Sequence, residues 1–201
     1  MALRKIAQLG EPVLRQVARR LADEEISSSR VGALVDDMID TMRDADGAGL
    51  AAPQVYESIA LVVIEVRENT RYPDVDPIPL TVLANPTITP IVSTPLDALA
   101  DCDAILAYEG CLSVPGLRGR VRRPRKVRVQ AVDPTTGRRV DEVWEGFRAV
   151  VVQHETDHLT GTLFVDRADT HSLSFLREYD RYVARDARVI DLGVPPAGNS
   201  R

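Results

Sequence analysis

Two histidines, His154 and His158, stand four residues apart with a glutamate directly after the first, in the run His154-Glu155-Thr156-Asp157-His158. On an α-helix that spacing puts both imidazoles on one face, where they can bind one metal ion. Glu155, next to the first ligand, then reaches a metal-bound water as general base. The chain holds 3 histidines in 201 residues. Two of them at this interval around a glutamate argue for a site rather than for a helix that happens to carry histidines.

A catalytic site of this kind needs a third protein ligand and an open fourth position. One metalloprotease pattern continues to a third histidine, and Gly161 fits it, but the ligand position is Phe164, which cannot ligate. A second pattern takes a glutamate from a later helix, and Glu178 is the residue available, in a setting that also reads as a salt-bridged surface helix. The third candidate is Cys111, whose thiolate suits borderline-soft divalent metals. A lone cysteine in a turn-rich apolar segment also serves as a small buried residue.

The elements that must position these groups read as α+β. Apolar residues at helical spacing predict a first helix over 12–21 and a second after the N-cap serines 27–29, with Val31, Leu34, Val35, Met38, Ile39 and Met42 on its inner face. Asp36, Asp37, Asp40 and Asp44 give that helix a solvated outer face, and Asp46-Gly47 ends it. Strands are predicted over 58–66, 81–84, 87–92, 121–132 and 139–145, the last two joined by a turn at 133–137. Residues 67–79 read as a loop, and 93–103 as irregular. A helix over 147–159 carries the histidines, and a last helix runs over 172–188. Strands and helices do not alternate as βα units, which argues against a doubly wound sheet. The expected architecture is mixed or antiparallel β-sheets packed around the histidine helix, with N-terminal helices and a C-terminal helix. Residues 1–192 are expected to form one domain, and 193–201 a flexible tail.

Composition narrows the classes of function. With 44% hydrophobic and 27% charged residues, the chain can bury a core without staples. No apolar run approaches the ~18 residues of a membrane helix, so no membrane partner is expected. A net charge of -5 argues against a dedicated nucleic-acid binder. Two cysteines, Cys102 and Cys111, and no export signal fit a reducing cytoplasm, with Cys102 a bystander.

Three blocks occur in order: Gly47-Ala48-Gly49-Leu50-Ala51-Ala52-Pro53-Gln54, then Glu109-Gly110-Cys111-Leu112-Ser113, then Gln153-His154-Glu155-Thr156-Asp157-His158. Together with the flanking LGEPVLR and LFVDR segments they resemble the peptide deformylases over most of the chain. That resemblance implies Cys111, His154 and His158 as metal ligands and Glu155 as the catalytic acid and base. It implies the Gln54 amide and the Leu112 backbone N–H as oxyanion donors, and Gly47 and Gly49 as backbone positions close to substrate. It places Phe147, Val150 and Val151 around the substrate methionine, with Arg118 at the edge and Glu109 near the substrate site as a structural ion pair with Arg123. The reaction implied removes the formyl group from N-formylmethionyl nascent peptides. The ion implied is Fe(II) in cells, with Zn(II), Ni(II) or Co(II) as substitutes. The segment between the first two blocks is longer than in the shortest family members, which leaves monomer and homodimer open.

Two other readings stand beside this one: a metalloprotease with Glu178 as third ligand, and a non-catalytic metal module that rides on the ribosome. The second draws on the basic run Arg118, Arg120, Arg122, Arg123, Arg125, Lys126 and Arg128 and on the stripe Arg177, Arg181, Arg185 and Arg188. Asp157 is open to two roles, support for a ligand histidine or pairing with a surface arginine. Gln153 reads as orienting the site or as polar filler, and His171 as a surface residue.

Overall fold

The structure, a computed structural model, describes residues 2–67, 76–91, 103–183 and 189–191. Within them lie two sheets. The first has the order β1-β2-β3-β6-β7, built from β1 (Gly49–Ala51), β2 (Leu61–Val66), β3 (Ile78–Pro90), β6 (Lys126–Val132) and β7 (Arg139–Glu145). The second has the order β8-β5-β4-β9, built from β8 (Ser174–Phe175), β5 (Val114–Pro124), β4 (Ala104–Cys111) and β9 (Val189–Asp191). Every pairing between these strands is antiparallel. The helices are α1 (Asp23–Ile26), α2 (Ser29–Asp44), α3 (Phe147–His158), α4 (Phe164–Arg167) and α5 (Leu176–Tyr182).

The five-stranded sheet is covered on both faces. Because side chains alternate along a strand, Leu61 and Val63 of β2 pack with Val82 and Ala84 of β3 against Val31, Leu34, Val35, Met38 and Met42 of α2. The even positions Val62 and Ile64 join Leu83, Val127, Val129 and Trp144 against Ala149, Val151 and Val152 of α3. That double coverage explains why β2 reads as an unbroken apolar run. On another side of α3, Val150 packs against Ile105 and Ala107 of β4, in the second sheet. A helix buried on nearly every side can carry so many apolar residues, and α3 is wedged between the sheets.

Several expectations are met. Ser28 caps α2, its Oγ accepting the Val31 N–H at 3.3 Å. The expected turn after β6 is held by Asp133, whose carboxylate accepts from Thr135 and Thr136. The aspartate face of α2 is less purely solvated than expected, because Asp37 accepts from the Ala2 N–H and from Arg4.

Other elements differ. In place of the helix over 12–21 there is a 3-10 turn, Pro12–Arg15, followed by extended chain. Tertiary backbone bonds claim that extension. Ala18 N–H donates to Leu159 C=O at 2.9 Å, Arg19 N–H to Ser58 C=O at 3.0 Å, and Ala60 N–H to Arg19 C=O at 2.8 Å. Val17, one of the apolar residues at helical spacing in 12–21, is 76% exposed. The two strands expected around Asn85-Pro86 are one, β3, with a register shift at that point. Asn85 takes φ 53, and its amide pairs with both backbone groups of Leu21.

The strand expected over 121–132 splits between the sheets. Val121 to Pro124 belong to β5, and β6 begins at Lys126. Between them the Arg125 N–H turns to Asp103 C=O. The last helix, expected over 172–188, is a 3-10 turn (Thr170–Ser172), the short β8 and α5. Pairing of Leu117 with Phe175 and of Arg118 with Ser174 holds those residues extended. Cys102, Arg185, Arg188, the tail 193–201 and most of 67–76 and 93–103 lie outside the described residues.

Candidate active site

Cys111 closes β4 and pairs with Val114 across a two-residue hairpin made of Leu112 and Ser113. His154 and His158 project from α3, one turn apart. The ligating atoms of Cys111, His154 and His158 all lie within 4.8 Å of one another. Cys111 Sγ is 3.2 Å from His158 Nε2. Cys111 and His158 are buried and His154 is partly so. One thiol and two imidazoles converging at these distances fit a single divalent transition-metal ion.

The ligands are held from behind. Glu109 lies on β4 two residues before Cys111, and its Oε2 is 2.9 Å from His154 Nδ1. Arg123 of β5 grips the same carboxylate through Nε at 2.8 Å and Nη2 at 2.9 Å. Arg123 also donates to Asp157 at 2.6 Å, and Arg167 of α4 binds both oxygens of Asp157 at 2.7 Å. Burial would lift the Glu109 carboxyl, but the hydrogen bonds from Arg123 and His154 outweigh it and hold the group at about 2. Glu109 therefore stays ionised and can only accept. His154 Nδ1–H donates to it, so Nε2 is the nitrogen that would give up its proton to a metal. Burial opposes a charge on His154, yet Cys111 and Glu109 raise it well above its ordinary value. Burial, then the charge on His154, depress His158.

Glu155 is 4% exposed, and its Oε2 has no hydrogen-bond partner among the described residues. Burial pushes its carboxyl up to about 7. A group poised there can both take and return a proton near neutral pH. The side chain lies flat against β1. A Cβ on Gly49 would stand 2.6 Å from Glu155 Cδ and 2.7 Å from Cγ. Gly49 is thus the residue that makes room for the Glu155 side chain.

Gln54 sits in a 3-10 turn after β1 and is 1% exposed. Its Oε1 accepts the Ala51 N–H at 2.8 Å, and its Nε2 lies 3.1 Å from Ser113 Oγ and 3.4 Å from Cys111 Sγ. Leu112 occupies the first hairpin position, where the backbone N–H is not spent on the β4–β5 ladder. Its side chain packs against the α2 core, and a Cβ on Gly47 would come within 2.9 Å of it.

A sequence model of the polypeptide deformylase family matches residues 3–173. The chain belongs to the polypeptide deformylase family. The peptide deformylase of Leptospira biflexa is 45% identical over 174 residues, 86% of this chain and 92% of that protein. Peptide deformylase 1 of Bordetella pertussis is 44% identical over 162 residues, 81% of this chain and 85% of that one. Among solved structures, the Met-Ala-Ser-bound class I type b peptide deformylase of Acinetobacter baumannii matches with TM-score 0.74 at 38% identity, over 83% of this chain and 98% of that one. The Thermotoga maritima peptide deformylase matches with TM-score 0.69 at 32% identity, over 84% of this chain and 99% of that one. As a peptide deformylase the chain is a hydrolase.

The remaining candidates lie at differing distances from the cluster of Cys111, His154 and His158. Val150 and Val151 are buried and Phe147 half-buried on α3, facing both sheets. The Arg118 guanidinium lies across Gly110, where a Cβ would be 2.5 Å from its Cζ. Both oxygens of Glu109 are taken by Arg123 and His154, so its contact is with a ligand histidine. Glu178 stands on α5, 45% exposed and against Arg177, and is not gathered with the histidines. Asp157 pairs with two arginines, the half-exposed Arg167, which is the second of its two readings, and the buried Arg123. Gln153 ties α3 to β5 through Pro124 C=O, and the His171 side chain is 97% exposed.

The basic run is largely matched by acids: Arg120 with Asp169, Arg123 with Glu109 and Asp157, Arg125 and Lys126 with Glu145, and Arg128 with Asp141. Two contributors went unassigned from sequence. Ser113 was visible inside the second block, but nothing marked its hydroxyl. Arg167 follows Asp166 in the LFVDR segment, and only the fold brings it to Asp157.

Proposed function

We propose that this chain removes the formyl group from the N-terminal formylmethionine of newly synthesised proteins, giving formate and a free amino terminus. The observation that carries this reading is the convergence of Cys111, His154 and His158 within 4.8 Å, beside a buried carboxylate with an unpartnered oxygen. An ion held by those three residues, Fe(II) in the cell and replaceable by Zn(II), Ni(II) or Co(II), supplies Lewis-acid activation of water and of the formyl carbonyl. Glu155 accepts the proton released as water adds to the formyl carbon. It returns that proton to the departing amine nitrogen. Gln54 Nε2 and the Leu112 N–H donate to the formyl oxygen as it gains charge. Losing such a donor costs about 3 kcal/mol of barrier. Gly47 and Gly49 bring backbone close to the peptide, and β1 is an edge strand to which an extended substrate can align. Phe147, Val150 and Val151, with Arg118 at the rim, receive the methionine side chain.

The test is formate release from a formyl-Met tripeptide by protein prepared without oxygen in the presence of Fe(II). Release by wild type that vanishes in Glu155→Gln, with metal content retained, is the expected result. Cys111→Ser should lose the metal itself, which the metalloprotease alternative does not require. No release from metal-loaded wild type would overturn the proposal.

A further inference from the structure

The Gln54 amide is oriented by its partners. A backbone N–H must face the carbonyl end, so the Ala51 N–H at 2.8 Å fixes Oε1, and the amino end turns toward β4. That amino group has two protons. Ser113 Oγ, at 3.1 Å, accepts one, and the other is donated toward Cys111 Sγ, at 3.4 Å, the side that a formyl oxygen bound beside the thiol would share. We propose that Ser113 is a positioning residue for deformylation, its hydroxyl binding one Gln54 Nε2 proton so that the other faces the formyl oxygen. This rests on the assignment of Gln54 as an oxyanion donor.

Two features favour that role. The last torsion of a glutamine side chain is soft, with broad wells rather than sharp staggered ones. The bond at Oε1 alone leaves the amide free to tilt, and a second anchor at Nε2 stops the tilt. Ser113 is 0% exposed, so no water competes for the hydroxyl. The backbones that carry the two side chains are braced separately. Ala7 N–H donates to Gln54 C=O and Leu9 N–H to Ser113 C=O, each at 2.8 Å. The Ser113 N–H also points at Cys111 Sγ, at 3.4 Å. None of these bonds uses the hydroxyl, so Ser113→Ala removes the anchor and leaves the hairpin and the thiol in place.

The experiment uses the Zn(II)-loaded enzyme and a formyl-Met tripeptide. In Ser113→Ala, kcat is expected to fall about tenfold with KM within about twofold, less than the roughly hundredfold or more for losing an oxyanion donor outright. One of the two Gln54 side-chain amide protons should move upfield in the nitrogen–proton correlation spectrum, and zinc content should not change. In a Gln54→Ala background, adding Ser113→Ala should change kcat by less than about twofold, because the two residues act as one unit. Gln54 amide resonances at their wild-type positions in Ser113→Ala, or losses that multiply in the double variant, overturn the role of Ser113. Wild-type kcat in Gln54→Ala instead removes the oxyanion assignment, and the proposal with it.

Discussion

His154 Nδ1 lies 2.9 Å from Glu109 Oε2, and Arg123 grips both oxygens of that carboxylate. One buried acid therefore orients His154, one of the two histidines gathered with Cys111. In Glu109→Gln the neutral amide can turn its NH2 toward the imidazole and favour the wrong tautomer. Metal affinity is expected to drop about 10- to 100-fold, measured by competition with a chromophoric chelator. Affinity equal to wild type would count against the tautomer reading.

Gly49 and Glu155 cannot both keep their positions once position 49 carries a methyl group, because that carbon would lie 2.6 Å from Glu155 Cδ. Gly49→Ala should retain secondary structure and metal while kcat falls about a hundredfold, the scale set by a displacement of ~1 Å at a reacting group. Circular dichroism, metal analysis and formate release on one preparation test the point. An active Gly49→Ala enzyme would mean that Glu155 can work from a second rotamer.

The two arginines on Asp157 should differ in what they hold. Arg123 is 3% exposed and serves Glu109 as well, so Arg123→Met strands the buried Glu109 carboxylate, takes one of two arginines from Asp157, and should cost about 3–5 kcal/mol in urea unfolding. Arg167 is 47% exposed, and Arg167→Met should cost about 1 kcal/mol or less. Equal losses would show that the exposed Arg167 ties the core together as firmly as Arg123 does.

A pH dependence can be read at the junction of α2 and β2, away from the metal ligands. Arg43 binds both oxygens of Glu65, at 2.7 and 3.0 Å. That hydrogen bond, against a smaller opposing effect of burial, holds the Glu65 carboxyl below its ordinary 4.5. A depressed folded-state value means that the contribution is fully present above about 4.5 and is lost as pH falls below it. Glu65→Gln should therefore be less stable than wild type in urea at pH 7, and the gap should narrow by pH 3. A gap that stays constant would show that the pair adds nothing through charge.

Much of the site could be read in the sequence because its chemistry is local. His154, Glu155 and His158 share one helix, and Cys111 and Gln54 lie in the short blocks that carry the family resemblance. Among the supports, the Glu109–Arg123 pair could be read only from the family resemblance, and the links from Arg123 and Arg167 to Asp157 could not be read at all, because they depend on registers that no short window contains. Arg123 sits in a basic run that looks solvated until β4 and β5 pair Arg123 with Ile105 and bring Glu109 opposite Gly119. The strands around Cys111 were hidden for the same reason, with Gly110, Pro115, Gly116 and Gly119 interrupting the apolar alternation. Residues 16–20 carry apolar residues at helical spacing, yet contacts with Ser58, Ala60 and Leu159 draw them out straight. Local pattern loses wherever distant backbone offers a better partner.

The alternation of β2 has a consequence for how such a chain can change over generations. Leu61 and Val63 face α2, while Val62 and Ile64 face the helix that bears His154 and His158. Substitutions at neighbouring positions of one strand thus act on different packing partners. Odd positions trade volume against α2 and the side chain of Leu112, while even positions are tied to the placement of the histidines.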